Sequence, residues 1–217
     1  MSLRLYGHPF SSYTWKALIP LYAHSVPFEF CDLESASPEE HAFVQQAGPL
    51  GKFPVLADGE RTVFEATSII EYLALHHLPR AGLLPSDPDE ALETRKMDRV
   101  FDNYVMSVMQ DGVNEGIRGA GQPDPEVLAD VRARLERVYS WLDKWLAAYE
   151  RPSQVTLIEC AAAPSLFYAD WVHQITDSWP RLKAWRAHLL ALPAVSRCIE
   201  DARYFRPNFP LDAPDRD

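Results

Sequence analysis

A mixed α/β domain followed by an all-helical one is the fold class the sequence predicts. Three observations carry it. Short apolar segments alternate with helical periodicity from Leu3 to Leu78. A stretch from Leu78 to Asp89 holds three prolines, one glycine and no clear period, as a linker does. Beyond it, apolar residues recur at spacings of three and four almost to the end. The expected units are residues 1–78 and 86–217.

Leu3 to Tyr6 and Phe28 to Cys31 are strand candidates, with Trp15, Leu18, Ile19 and Tyr22 at helical spacing between them. That separation is long enough for a parallel crossover. Pro20 lies inside this helix and should kink it, because it removes one backbone hydrogen bond. Ser37-Pro38-Glu39-Glu40 has a cap, a proline at the first helical position and acids facing the positive end of the helix dipole. Pro54 to Leu56 and Thr62 to Phe64 are two further short strands, and the Asp58-Gly59 pair between them suggests a hairpin. A helix from about Ala66 to His77 follows, with Ile69, Ile70, Leu73 and His77 along one side.

In the second half Val100, Tyr104 and Val108 mark one helical stripe, and Leu128, Val131, Leu135, Val138, Leu142 and Trp145 mark another. Gly112 to Pro125, with four glycines and two prolines, is expected to separate the two helices. Thr156-Leu157-Ile158-Glu159 opens the next helix as a capping box, in which cap and third residue satisfy each other's backbone N–H. Pro180 to Ala191 and Ala194 to Arg203 are the last helix candidates.

Composition narrows the function. The net charge is −10 over 217 residues, with four Lys and Arg against nine Asp and Glu in residues 1–78 and seventeen against twenty-two in the rest. Both halves are acidic, which argues against a nucleic-acid partner, since phosphate binding needs clustered cations. No segment approaches the ~18 continuous apolar residues of a membrane span, and no basic, apolar leader opens the chain. Cys31, Cys160 and Cys198 are odd in number and far apart, which is no disulfide framework, so a reducing cytoplasm is the expected compartment. The cysteines are expected as small buried apolar groups. His76 and His77 point about 100° apart on a helix, and no cluster has ligand spacing, so no metal is expected.

Ser11-Ser12-Tyr13-Thr14-Trp15-Lys16, Gly51-Lys52-Phe53-Pro54-Val55-Leu56 and Phe64-Glu65-Ala66-Thr67-Ser68-Ile69-Ile70-Glu71-Tyr72-Leu73 resemble the three signatures of cytosolic glutathione S-transferases. The Thr156–Glu159 box with Pro164 beyond it, and Trp179-Pro180-Arg181-Leu182-Lys183-Ala184-Trp185, resemble the same family's helical domain. Together the motifs cover nearly the whole chain. The resemblance implies a thioredoxin-like βαβαββα amino-terminal domain, an all-α carboxy-terminal domain and a homodimer. It also implies a detoxifying reaction in which the co-substrate glutathione is conjugated to an electrophilic small molecule.

The residues are consistent with that chemistry. Ser11 stands where a strand gives way to a helix, so its hydroxyl meets the free N–H groups and positive potential of a helix start. Such a place favours a thiolate, and thiols at helix N-termini are acidified from a pKa of about 8.5. By the family pattern Ser11 donates a hydrogen bond to the glutathione sulfur. Ser12 is the adjacent rival, but the motif's active residue precedes its basic residue, Lys16, by five positions. A helix cap is the simpler reading of either serine.

In the family the proline matching Pro54 is cis, which turns the Val55 backbone outward to pair with the peptide as an added strand would. Glu65 would pair with the α-amino group of the γ-glutamyl residue. The helix start at Ala66 would receive its carboxylate. The family usually has serine at position 66, and losing that donor costs on the order of 1.5–3 kcal/mol if uncompensated; Thr67 or Ser68 are the nearby hydroxyls. Lys52 would contact the glycyl carboxylate or the backbone. Phe10, Phe101 and Tyr104 are the aromatic residues expected nearest the second substrate, between the domains.

Two other activities fit the same scaffold. The Ser-Ser-x-Ser/Thr-Trp-Lys/Arg form resembles the zeta-class pattern, whose members include maleylacetoacetate cis-trans isomerases, although Tyr13 stands where that class has cysteine. A non-catalytic ligand carrier is the other, raised by Ala66.

Overall fold

In the computed structural model, which describes residues 3–119 and 122–217, β1 (Leu3–Gly7), α1 (Ser12–Ala23) and β2 (Phe28–Asp32) form the predicted crossover, and the two strands pair in parallel with Leu3 opposite Phe28. After α2 (Pro38–Ala47), β3 (Val55–Asp58) and β4 (Arg61–Phe64) make an antiparallel hairpin, turning at Gly59 with φ 61°. A left-handed φ there suits glycine, which has no Cβ to clash. β3 pairs antiparallel with β1, so the sheet order is β2-β1-β3-β4. α3 (Ala66–His76) completes the unit.

Strand alternation sorts the side chains onto two faces. Leu3 and Leu5 enter the large core, while Tyr6 joins Cys31, Leu33, Val44 and Val55 in a small one on the other face. Val44 is the buried contribution of α2 to it. Helix α1, unbroken through Pro20, is buried over nearly its whole length. It packs against α3 on one side and the helical half on the other.

That half begins with α4 (Pro88–Val100), passes through a π-helical turn at Phe101–Met106 and continues as α5 (Ser107–Arg118). The helix does not break at Gly112, against the expectation from its glycines. A Cβ on Gly112 would stand 3.1 Å from Val172, and one on Gly116 would stand 2.8 Å from Leu211. These glycines let neighbours pack closely inside a helix, and the break falls later, before α6 (Pro125–Trp145). Residues 120 and 121 of the predicted break lie outside the described residues.

α7 (Leu157–Val172) is buried at every residue and forms the axis of the helical half. Its capping box forms as predicted: Thr156 N donates to Glu159 Oε2 at 3.0 Å, and Ile158 N donates to Thr156 Oγ1 at 3.2 Å. Ser37 and Glu40 make the equivalent box on α2. α8 (Pro180–Leu190), α9 (Pro193–Ala202) and a 3-10 turn at Arg203–Asn208 close the chain. All three cysteines are buried thiols. No described helix is long and apolar enough to cross a membrane.

Candidate active site

Two neighbouring cavities open along the junction of the two halves. The first, of about 450 Å³, is floored by the turn before β3 and the start of α3, through Lys52, Phe53, Pro54, Glu65, Ala66 and Ser68. Arg99, Asp102 and Asn103 close it from the helical half. The second, of about 320 Å³, is lined by Phe10, Ser11 and Ser12 on one side and by Met109, Val113, Tyr168 and Phe209 on the other. Tyr13 and Phe53 border both.

The junction of β1 and α1 is held by its own hydrogen bonds. Ser11 N donates to His8 O at 3.0 Å, Phe10 N donates to His8 Nδ1 at 3.0 Å, and the Tyr168 hydroxyl donates to Phe10 O at 2.9 Å. Ser11 caps α1, its Oγ accepting from Thr14 N at 3.3 Å. That bond uses an oxygen lone pair and leaves the hydroxyl proton to donate. Ser12 is buried, although it reaches the second cavity's edge.

In the first cavity the Phe53–Pro54 peptide is cis. The Val55 side chain is fully buried in the small core, so only its backbone can serve a ligand. Glu65 caps α3 with φ 68°, a left-handed conformation that costs a non-glycine residue on the order of 1–3 kcal/mol and collects at functional sites. Its carboxyl is exposed and has no hydrogen-bond partner among the described residues. Ala66 follows as the first residue of α3 and is buried.

Beneath this floor lies a charge cluster. Lys16 is 0% exposed, and its Nζ lies 2.6 Å from Asp98 Oδ1 and 2.7 Å from Asp102 Oδ1. It also donates to Thr67 Oγ1 at 2.9 Å, and that hydroxyl donates to Asp98 Oδ2 at 3.0 Å. Thr67 therefore faces inward, and Ser68 is the hydroxyl left at the cavity wall. Burial pushes the Asp102 carboxyl above the usual carboxylate range, with the Lys16 ammonium opposing. Burial also pushes the Tyr13 phenol up to about 12, with Asp102 adding to the effect, so Tyr13 stays protonated at neutral pH.

Of the predicted site residues, Lys52, Pro54, Glu65 and Ala66 meet at the first cavity, and Ser11 and Phe10 at the second. Phe101 and Tyr104 do not belong to either. Phe101 is fully buried, its ring 5.8 Å from that of Trp185. Tyr104 is 59% exposed on the far side of the same turn, in a groove with Val100, Val108, Val138 and Trp141. Phe101 packs into the core with Val105 and Met109, while Tyr104 points outward from the same π-helical turn, so neither ring reaches the two cavities. The residues that do line the second cavity include Met109, Val113 and Ile117, spaced four apart along α5. That spacing was a visible signal, obscured by the expected break at Gly112.

Comparison with known proteins places these features in company. Residues 5–80 match the family model for the glutathione S-transferase N-terminal domain. Over 212 residues the chain is 27% identical to glutathione S-transferase PARB of Nicotiana tabacum, covering 92% of this chain and 98% of that one. It is 25% identical over 208 residues to glutathione S-transferase F6 of Arabidopsis thaliana, covering 91% and 99%. A crystal structure of a glutathione S-transferase from Methylobacterium radiotolerans, in complex with glutathione sulfonate, is 25% identical with a TM-score of 0.74, covering 92% of this chain and 95% of that one.

Proposed function

We propose that the chain is a glutathione S-transferase, the family whose N-terminal domain its residues 5–80 match, that its first cavity binds glutathione and its second an electrophilic small molecule, and that it conjugates the two. The observation that carries this reading is the contact between the cavities. Tyr13 and Phe53 border both, and Ser11 lies two residues from Tyr13, so a thiol held in the first faces an acceptor held in the second.

Each residue has a role in this reading. Ser11, capped onto Thr14 N, directs its O–H at the glutathione sulfur and stabilises the thiolate. The Val55 backbone beside Pro54 pairs with the cysteinyl backbone, and Lys52 faces the glycyl carboxylate. Glu65 receives the α-amino group, and the backbone N–H groups at the Ala66 helix start face the α-carboxylate. The sulfur lone pair attacks the electrophilic carbon and forms a C–S bond as a leaving group departs or a π bond opens. Thiolate formation and the proximity of two bound reactants supply the acceleration.

The direct test is calorimetric titration with glutathione. Binding in the micromolar to millimolar range, about −8 to −4 kcal/mol, is expected, and Glu65→Ala should weaken it. No heat at two temperatures would overturn the reading. Net consumption of glutathione in the presence of an acceptor separates conjugation from an isomerisation that returns it.

A homodimer belongs to the same reading. Leu50 stands 73% exposed at the mouth of the first cavity, and the groove holding Val100, Tyr104 and Trp141 is an open apolar surface. A second copy brings both features, and a two-fold contact would cover each twice. Sedimentation velocity should show a dimer that Leu50→Asp weakens; a wild-type monomer at micromolar concentration would exclude it.

A further inference from the structure

We infer that Arg99, on the helical half, supplies the cation for the α-carboxylate of the γ-glutamyl residue, replacing the side-chain donor that Ala66 lacks. The inference rests on glutathione occupying the first cavity.

Glutathione carries two carboxylates and one ammonium, and the charges lining this cavity match them. Glu65 and Asp102 are its acids, Lys52 and Arg99 its cations. Lys52 lies two residues before Pro54, at the end assigned to glycine. Arg99 lies at the other end, beside the start of α3: its Nη1 is 3.4 Å from Thr67 Oγ1. Ser68 offers that end a neutral hydroxyl, but no second cation reaches it among the described residues. Ala66 has no polar side-chain atom, the Thr67 hydroxyl is committed to Lys16 and Asp98, and Lys16 is itself sealed from the cavity.

Arg99 is also held in place. Its Nη1 donates to Asp98 Oδ2 at 2.6 Å, and Asp98 is 0% exposed and fixed in turn by Lys16. The Arg99 side chain is 55% exposed, so the guanidinium is anchored at one nitrogen and open to the cavity at its other edge. A guanidinium has five N–H donors in a planar fork that fits a carboxylate. Lys16 and Arg99 balance Asp98 and Asp102, so the positive potential facing α3 is that of the exposed guanidinium edge, to which the helix N-terminus adds. Glu65 and Asp102 on the same cavity complete a receptor for an α-amino acid head group. The first motif's Lys16 thereby acquires a purpose: it shares the buried carboxylate that positions Arg99.

The test compares glutathione with γ-aminobutyryl-cysteinyl-glycine, which lacks the α-carboxylate, and glutaryl-cysteinyl-glycine, which lacks the α-amino group. Each is titrated calorimetrically into the wild type, Arg99→Gln and Arg99→Lys, with thermal denaturation run beside them. Arg99→Gln should bind glutathione and the glutaryl peptide roughly ten- to a hundredfold more weakly while binding the aminobutyryl peptide as the wild type does. Arg99→Lys should recover part of the loss. Unchanged glutathione affinity in Arg99→Gln, or an equal loss for all three peptides, would overturn the assignment and leave the glutathione reading standing. A wild type that binds glutathione no better than the aminobutyryl peptide would also overturn it. Failure of the wild type to bind any of the three would overturn the parent reading, and this one with it.

Discussion

Lys16→Met should destabilise the fold by about 3–5 kcal/mol, the usual cost of removing one partner from a buried ion pair. Methionine nearly matches the volume, so the loss is electrostatic and leaves little cavity. It strands Asp98, fully buried, against Asp102, with Arg99 as the remaining cation in contact. The pH dependence has a definite sign. Burial already holds the Asp102 carboxyl above the usual range, and losing the opposing ammonium raises it further. A carboxyl whose pKa is higher folded than unfolded favours the folded state at low pH, and that advantage disappears as pH rises through the folded value. The deficit of Lys16→Met should therefore be larger at about pH 8 than at about pH 5. Urea denaturation followed by circular dichroism, at fixed protein concentration, measures both. A loss below about 1 kcal/mol, the value of a surface pair, would show that the cluster is not energetically buried.

Ser11→Ala should be the most damaging change to the reaction near neutral pH. A hydrogen bond to a charged acceptor contributes about 1.5–3 kcal/mol, so its removal should raise the pKa of the bound glutathione thiol by about one to two. Below both pKa values the thiolate fraction falls in proportion, giving about a ten- to hundredfold loss of turnover at pH 6.5. Above the raised pKa both proteins hold a thiolate and the difference closes. Titrating the ultraviolet thiolate absorbance of bound glutathione reads the shift without any acceptor. An unmoved titration, with equal turnover ratios at pH 6.5 and 9, would remove Ser11 from that role. The variant also loses a helix cap, at about 1 kcal/mol, so its melting temperature must be followed. Ser12→Ala serves as the neighbouring control.

Local rules made much of this fold legible. The Asp58-Gly59 hairpin, the Ser37 cap and the Thr156–Glu159 capping box depend on residues within a few positions of one another, and each forms as its residues imply. The first cavity was legible for the same reason: Lys52, Pro54, Glu65 and Ala66 sit in two short runs joined by that hairpin. The second cavity draws on the β1–α1 junction, α5, α7 and the tail near Phe209, and no local spacing brings those together. Phe101 and Tyr104 were chosen as aromatic residues of the helical half, and aromatic character alone does not tell a core ring such as Phe101 or a groove ring such as Tyr104 from one that lines these cavities. Lys16 hid for a different reason: a lysine in sequence suggests a solvated surface, and only the fold brings Asp98 and Asp102 around it.

The change of pitch at Phe101–Met106 has a consequence of its own. Pro88 to Arg118 is one continuous rod, which offers Arg99, Asp102 and Asn103 to the first cavity and Met109, Val113 and Ile117 to the second. Each residue added to or taken from a helix turns everything beyond it by about 100°, and π-turns are the form an extra residue takes inside one. The rod thus behaves like a camshaft with two lobes, whose relative angle is set at a single joint. Inserting or deleting one residue after Asn103 should turn Met109, Val113 and Ile117 while Arg99, Asp102 and Asn103 keep their setting. On the proposed reading, acceptor range and tripeptide recognition are geared independently along the same helix.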